Sequence, residues 1–233
     1  MLYVNIEKRL DRYTLKANFK CAKDTLALFG ASGAGKSMTL KCIAGIEKPD
    51  RGVIQLNDRV LFDSNKNINL PPQKRHVGYL FQDYALFPDM TVSGNILSAM
   101  RKLPKAERER KLSDLIKRFQ LNGLEKRRPE LLSGGEKQRV ALARIFASSP
   151  EVLLLDEPFS SLDTLLKLQL IPYIREIISD FGGETIMVSH DIQEVRQLCP
   201  KLITITDGVT SIETNTEDYY TKLKERYESV KTL

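Results

Sequence analysis

The chain has 233 residues, of which 42% are hydrophobic and 28% charged, and it carries a net charge of +6. That length suits one α/β domain, or one core with a lobe inserted in it, and the composition excludes disorder, collagen and coiled coil as overall forms. No apolar run approaches the roughly 18–20 residues of a membrane helix, and Met1–Lys8 lacks the apolar stretch of a signal peptide, so the chain is read as one that neither spans a membrane nor leaves the cytoplasm by the usual route.

In chain order, Leu2–Ile6, Tyr13–Phe19 and Thr25–Phe29 read as short β-prone runs with polar turns between them. Leu26-Ala27-Leu28-Phe29, ending at Gly30, has the continuous apolar character of a strand buried on both faces. From Lys36 to Ile46 the period becomes helical, and Gly45 and Pro49 close that stretch. Val53–Leu56 and Val77–Phe81 are further predicted strands. From Val92 to about Ser149 the pattern is helical, with Leu112, Leu115, Ile116 and Phe119 forming an apolar stripe among charges. Val152–Leu155 is a second buried strand, and Asp163–Phe181 is a helix that Pro172 should kink. Thr185–Val188 and Leu202–Thr206 complete the strands, and Thr216–Leu233 reads as an amphipathic helix with Tyr220, Leu223, Tyr227 and Val230 on one face. The expected layout is a mainly parallel sheet interrupted by a helical lobe.

Charge is unevenly spread. Residues 101–144 hold 14 Lys and Arg against 6 Asp and Glu, a net of +8, and the remaining 22 against 24 give −2. Such a segment suits nucleic acid, an anionic membrane surface, or simply a solvated helical face. The three cysteines, Cys21, Cys42 and Cys199, have no CxxC spacing and read as reduced structural thiols.

The strongest chemical signal is Gly30-Ala31-Ser32-Gly33-Ala34-Gly35-Lys36-Ser37, which follows a strand and opens a helix. This is the GxxxxGK[ST] phosphate-binding loop. Its glycines let backbone N–H groups turn inward around an anion, and the helix start adds a positive dipole end. Lys36 is expected to reach the outer phosphates and Ser37 to ligate Mg²⁺. Asp156-Glu157 follows four aliphatics, so it belongs at the strand's carboxyl end, where open α/β sheets bind ligands. Asp156 is assigned to the metal side and Glu157 to the water that attacks a γ-phosphate. His190, after Thr185–Ser189, is either a γ-phosphate contact or a capping histidine. His76 is assigned no role.

Leu132-Ser133-Gly134-Gly135-Glu136 contains an S-x-x-E capping box. Capping does not call for two glycines in the first turn. Close approach of a ligand to this helix start explains them better.

Leu132–Arg139 resembles the signature sequence of ABC-family ATPases. In order, Gly30–Ser37, Gln82 in Phe81-Gln82-Asp83, the signature, Asp156-Glu157, Ser161-Leu162-Asp163 and His190 are similar to the Walker A, Q-loop, signature, Walker B, D-loop and H-loop of that family. The similarity covers about residues 1–213. It implies an α/β P-loop fold with an antiparallel β subdomain near the N-terminus and an inserted helical lobe. The chain is expected to be a single domain, with a core of 1–87 and 150–213, a lobe of 88–149 and a C-terminal helix of 214–233.

The resemblance also implies an ATPase with ATP and Mg²⁺, working as a homodimer with each ATP between one P-loop and the partner's signature. Catalysis would fall to Glu157, His190, Gln82 and Lys36. Nucleotide binding would fall to Gly30, Ala31, Ser32, Gly33, Ala34, Gly35, Lys36, Ser37 and Met38, with Ser133, Gly135 and Asp163. The metal would be held by Ser37, Gln82 and Asp156. An aromatic residue near the N-terminus would stack on adenine; Tyr13 is the candidate and Tyr3 its rival. Integral membrane transport subunits are the implied partners, with the chain peripheral on the cytoplasmic face, no direct contact with the solute and no nucleic acid.

Gly78–Pro88 looks like the importer branch, and Arg9–Tyr13, Asn57–Asp63 and Leu70–Arg75 resemble molybdate or tungstate importer ATPases. Importer ATPases for sulfate, a sugar or a polyamine, or a non-transport ABC-type ATPase on nucleic acid, are the alternatives; the last usually shows a coiled-coil insertion or two ATPase domains, absent here. Many molybdate-type relatives carry a C-terminal regulatory domain of oligonucleotide-binding type. With an end at 233, regulation through such a domain is not expected.

Overall fold

The structure, a computed structural model, describes residues 1–160 and 162–231, with the side chains of 229–231 left aside. Ser161 of the expected D-loop, the Val230 side chain and the last residues of the expected C-terminal helix lie outside the described residues. The chain divides into two compact units, Met1–Arg75 with Ile171–Leu233, and His76–Leu170.

The first unit begins with β1 (Leu2–Arg9), β2 (Thr14–Cys21), β3 (Thr25–Phe29), α1 (Lys36–Ala44), β4 (Arg51–Leu56), β5 (Arg59–Asp63) and β6 (Ile68–Asn69). The second holds β7 (Val77–Leu80), α2 (Val92–Ser98), α3 (Lys105–Arg118), α4 (Gly134–Ala147) and β8 (Val152–Asp156). Helix α5 (Thr164–Phe181) runs through Pro172 without ending, and the division between units falls within it. The first unit resumes with β9 (Glu184–Ser189), α6 (Ile192–Leu198), β10 (Lys201–Thr206), β11 (Val209–Thr210), β12 (Thr214–Asn215) and α7 (Thr216–Lys231).

Two kinds of strand make up the first unit, in the order β6-β5-β4-β1-β2-β11-β10-β3-β9. Strands β1, β2, β4, β5 and β6 pair antiparallel. Burial in β2 alternates residue by residue, as a strand with one face to solvent requires. By contrast β10, β3 and β9 pair in parallel, and β9 is buried at every position. This is the mainly parallel core with an antiparallel subdomain read from the sequence. Of the hairpin β4–β5, the sequence reading had β4 as Val53–Leu56 and lacked β5; its turn is Asn57-Asp58, with Asn57 at φ 53°.

Arg75 secures the end of the helix that follows the phosphate loop. Fully buried, it donates from Nη1 to the carbonyls of Cys42 (2.8 Å) and Ile43 (2.9 Å), and from Nε to Leu70 O (2.7 Å). Helix α1 ends on Gly45 at φ 79°, and a Cβ there would lie 2.5 Å from Arg75 Nε. Glycine is therefore required twice over, by conformation and by the guanidinium.

In the second unit β7 and β8 pair in parallel from Val77↔Val152 to Leu80↔Leu155. Phe81-Gln82 and Asp156-Glu157 accordingly leave the same end of the pair. Of the predicted stripe, Leu115, Ile116 and Phe119, the last capping α3, are buried, while Leu112 is half-buried. The cysteines are free and buried, and burial pushes the Cys21 and Cys42 thiols up to about 12. No described helix is long and apolar enough to cross a membrane.

Candidate functional site

The phosphate loop is built where β3 meets α1. Gly33 and Gly35 stand at φ 80° and 104°, where L side chains are strained. A Cβ on Gly30 would meet Ile205 O at 2.4 Å. These restraints wrap the backbone of 30–35 into a cradle at the start of α1. Lys36 is buried, and its Nζ donates to Gly30 O and Ala31 O, both at 2.8 Å, so the ammonium spans the loop it belongs to. Ser37 and Met38 follow in the first turn of α1.

Beside the loop lies a cavity of about 500 Å³, with walls from Gly30–Ala34, Tyr13, Phe29, His190, Thr204–Asp207 and Tyr219. The parallel register Phe29↔Ser189 explains His190: it leaves β9 level with Gly30. Its turn is tied down by Asp191 N donating to Ser189 Oγ (2.9 Å) and by Asp191 capping α6 through Gln193 N (2.8 Å). Tyr13 is placed by contacts the sequence reading did not foresee. Its hydroxyl donates to Gly33 O. Its ring rests on the Asp207-Gly208 turn, where a Cβ on Gly208 would come within 2.3 Å of Cδ2. Burial raises the Tyr13 phenol above its ordinary pKa. Tyr3 lines a different cavity, with Met1, Lys20, Gln55 and Asn57, so of the rival aromatics only Tyr13 stands at the phosphate loop.

The second unit carries the remaining residues. Asp156 is buried and accepts a hydrogen bond from Tyr79 Oη at 2.7 Å. Burial, then the nearby carboxylate, raises the Tyr79 phenol, so it stays a donor that fixes one Asp156 oxygen. Glu157 follows at φ 46°, a strained turn for a non-glycine residue. Gln82 Nε2 donates to Ser160 Oγ (3.1 Å), which in turn donates to Glu157 O (3.1 Å). One chain of hydrogen bonds thus links Gln82 to the Glu157 turn. Asp163 is exposed and caps α5 by accepting from Leu166 N at 3.0 Å.

Both halves of the capping box form: Ser133 N donates to Glu136 Oε2 (2.7 Å) and Glu136 N to Ser133 Oγ (3.3 Å). The bond from Ser133 N holds the Glu136 carboxyl below its usual range. The two glycines have a packing reason. A Cβ on Gly134 would lie 3.1 Å from Leu162 Cδ2, and one on Gly135 would lie 3.3 Å from Leu170 Cδ1 and 3.4 Å from Leu166 Cδ1. The sequence reading assigned these glycines to the close approach of a ligand; within this chain it is leucines that lie close to them.

A family profile described as ABC transporter matches residues 16–160, from β2 through the Asp156-Glu157 turn. The chain belongs to the ABC transporter family. Among curated members, a "Molybdenum import ATP-binding protein ModC" of Rhodospirillum rubrum is 42% identical over 208 residues, 89% of this chain and 56% of that protein. The ModC of Shewanella oneidensis is 42% identical over 212 residues, again 89% of this chain and 56% of that protein. The chain thus spans a little over half the length of these ABC relatives. Among solved structures, cbiO1 of Clostridium perfringens, part of an ABC transporter complex, matches with a TM-score of 0.81 at 28% identity, covering 98% of this chain and 93% of that one. A dimeric ATP-binding cassette bound to ADP and Pi matches with a TM-score of 0.76 at 24% identity, covering 93% of this chain and 99% of that one, which shows the ABC fold alone.

Within this ABC chain the sequence reading missed Tyr79, Tyr219 and the Asp207-Gly208 turn. Only the last had a local signal: Asp-Gly between β-prone runs marks a tight hairpin. The loop after Gln82 is held by hydrogen bonds from α2 and α4. Tyr84 and Ala85 stand at φ 62° and 43°. Arg144 holds their carbonyls at 3.0 and 2.8 Å, and the buried Asn95 bonds Phe87 through both N–H and carbonyl. Phe87 is left 45% exposed under the Arg144 guanidinium, while Tyr84 is buried.

Proposed function

We propose that the chain is the ATP-hydrolysing subunit of an importer, powering uptake of molybdate or a related oxyanion through partner membrane subunits. The observation that carries this reading is the cavity in which Tyr13 and His190 share walls with the Gly30–Ala34 cradle. A loop of inward amides at a helix start suits a triphosphate, and an aromatic ring beside it suits a purine. The names of the relatives support molybdate as the solute.

In this reading Lys36 leaves the Gly30 and Ala31 carbonyls for the outer phosphates of ATP. Ser37 is fitted to Mg²⁺ by its place at the helix start, and Asp156, buried and oriented by Tyr79, is fitted by its fixed carboxylate; Gln82 is the third assigned ligand. The ion, when bound, neutralises phosphate charge. Glu157 accepts the proton of the attacking water, and His190 steadies the γ-phosphate.

The working form is a homodimer on the cytoplasmic face of the membrane. Ser133 and Gly135 of each copy serve the partner's nucleotide, and the solute never touches this chain. Phe87, exposed and locked by Asn95 and Arg144, lines a groove of about 410 Å³ with Ala85, Ser98, Ala99 and Ile145. An apolar segment of a transport subunit fits such a groove.

Phosphate release by the purified chain tests the chemistry. Glu157→Gln is expected to keep Mg·ATP binding and to lose about 10² or more in turnover. Parental turnover by that variant would remove Glu157 as the base. Phe87→Asp is expected to stop molybdate uptake in cells while leaving basal turnover unchanged; loss of the folded protein would instead assign Phe87 to packing.

A further inference from the structure

The phosphate-loop cavity has a wall from the far end of the chain. Tyr219, in the first turn of α7, lines it together with Gly30–Ala34 and Tyr13. The placement is built. Arg196 of α6 grips Glu217 through Nε (2.9 Å) and Nη2 (3.0 Å), and its guanidinium lies 3.8 Å from the centre of the Tyr220 ring. Thr216 N donates to Pro200 O at 3.0 Å, and Thr216 is buried. With the first turn of α7 pinned in this way, the Tyr219 ring meets Phe29 edge-on, 5.8 Å between centroids and 69° between planes. Phe29 is the last residue of β3, directly before Gly30.

Two features separate Tyr219 from an ordinary packing tyrosine. It is only half-buried, so part of its ring faces the cavity rather than protein. It also lines the phosphate-loop cavity, which Leu223 and Tyr227, one and two turns farther along α7, do not. A ring held rigidly from behind and open in front costs little entropy when a ligand lies against it.

We infer that Tyr219 is a second aromatic contact for the nucleotide, alongside Tyr13, and that it makes α7 part of the nucleotide site. This rests on the reading of the cavity as an ATP site. A nucleotide bound in the phosphate loop closes against the Tyr219 ring, and the Arg196–Glu217 pair holds α7 in register for that contact.

The chain contains no tryptophan, which allows a single-probe test. The full chain would be titrated with the hydrolysis-resistant analogue AMP-PNP and Mg²⁺, with affinity read by calorimetry. Tyr219→Ala is expected to weaken binding about three- to tenfold, the scale of one aromatic contact, and Tyr219→Phe to bind as the parent does. In Tyr219→Trp, indole fluorescence is expected to change saturably with the analogue; Tyr227→Trp, farther along α7, is expected to stay silent. A parent that does not bind the analogue would overturn the ATP reading and this contact with it. A parent that binds, with Tyr219→Ala at parental affinity and Tyr219→Trp silent, would overturn the contact alone. If Tyr219→Ala melts early, the fluorescence of Tyr219→Trp decides.

Discussion

Residues 30–37 and 132–139 each place glycines at the start of a helix, yet the glycines answer to different physics. In the phosphate loop, Gly33 and Gly35 stand at positive φ, and nothing lies within 4 Å of a Cβ at Gly33. Conformation favours glycine at both, and the space beside Gly33 is open. At Gly134 and Gly135 the backbone is ordinary α4 helix, and leucines crowd the position. Leucine side chains leave a Cβ little room there, while the helix start is finished by Ser133 and Glu136. A glycine-rich helix start is therefore not one signal. A cradle and a packing notch look alike in sequence and differ in dihedral angles and neighbours.

The sharpest way to break that distinction is at Gly35. An alanine there is strained at φ 104° and meets Leu15 Cδ1 at 2.9 Å and Tyr13 Oη at 3.3 Å. Gly35→Ala is expected to cost about 1–3 kcal/mol of strain, read as roughly a tenfold to hundredfold loss of affinity for a Mg·ATP analogue. Gly33→Ala, strained but unobstructed, should lose less. Equal losses at the two positions would mean that contact with Leu15 and Tyr13 adds nothing.

At the notch the expectation is different. Gly135→Ala gains about 1 kcal/mol of helix propensity and meets Leu170 and Leu166 more closely than nine in ten real contacts. The single change is expected to lower stability by about 1 kcal/mol. In a Leu170→Ala background, which removes the nearest of these contacts, the same change should stabilise, because the propensity gain is no longer offset by crowding. Additive effects in denaturant unfolding would show that packing does not set Gly135.

The smallest expected effect is electrostatic. The Glu136 carboxyl is held below its usual range by Ser133 N. A depressed carboxylate contributes stability above its unfolded pKa and loses it as pH falls through the folded one. Glu136→Gln should therefore cost a few tenths of a kcal/mol at neutral pH, given how exposed the pair is, and nothing in strong acid. A difference between the two chains that does not shrink on acidification would contradict this.

The same contrast explains what was legible in the sequence. The phosphate loop, the buried strands β3, β8 and β9 and the capping box are local patterns, so residue type and spacing suffice to read them. What escaped is set by partners distant in sequence. Tyr79 acts on Asp156 only because β7 and β8 lie side by side. Tyr13 is steadied by Gly208, and Tyr219 meets Phe29 from near the other end of the sequence. Asn95 reads as one more polar helix residue until its bonds to Phe87, Met90 and Thr91 are seen. Strand β5 escaped because its burial runs through Leu61-Phe62-Asp63 rather than alternating.

In the proposed dimer these two helix starts serve one nucleotide from two copies of the chain. Turnover measured on mixing Lys36→Ala with Ser133→Arg tests it most directly. Each homodimer carries two defective sites. The mixed dimer carries one site with both lesions and one with neither, so phosphate release should appear on mixing, peak near equal amounts and reach a fraction of the parental rate. The account would be contradicted by a parental rate per chain that stays constant on dilution to concentrations where sedimentation shows only monomer.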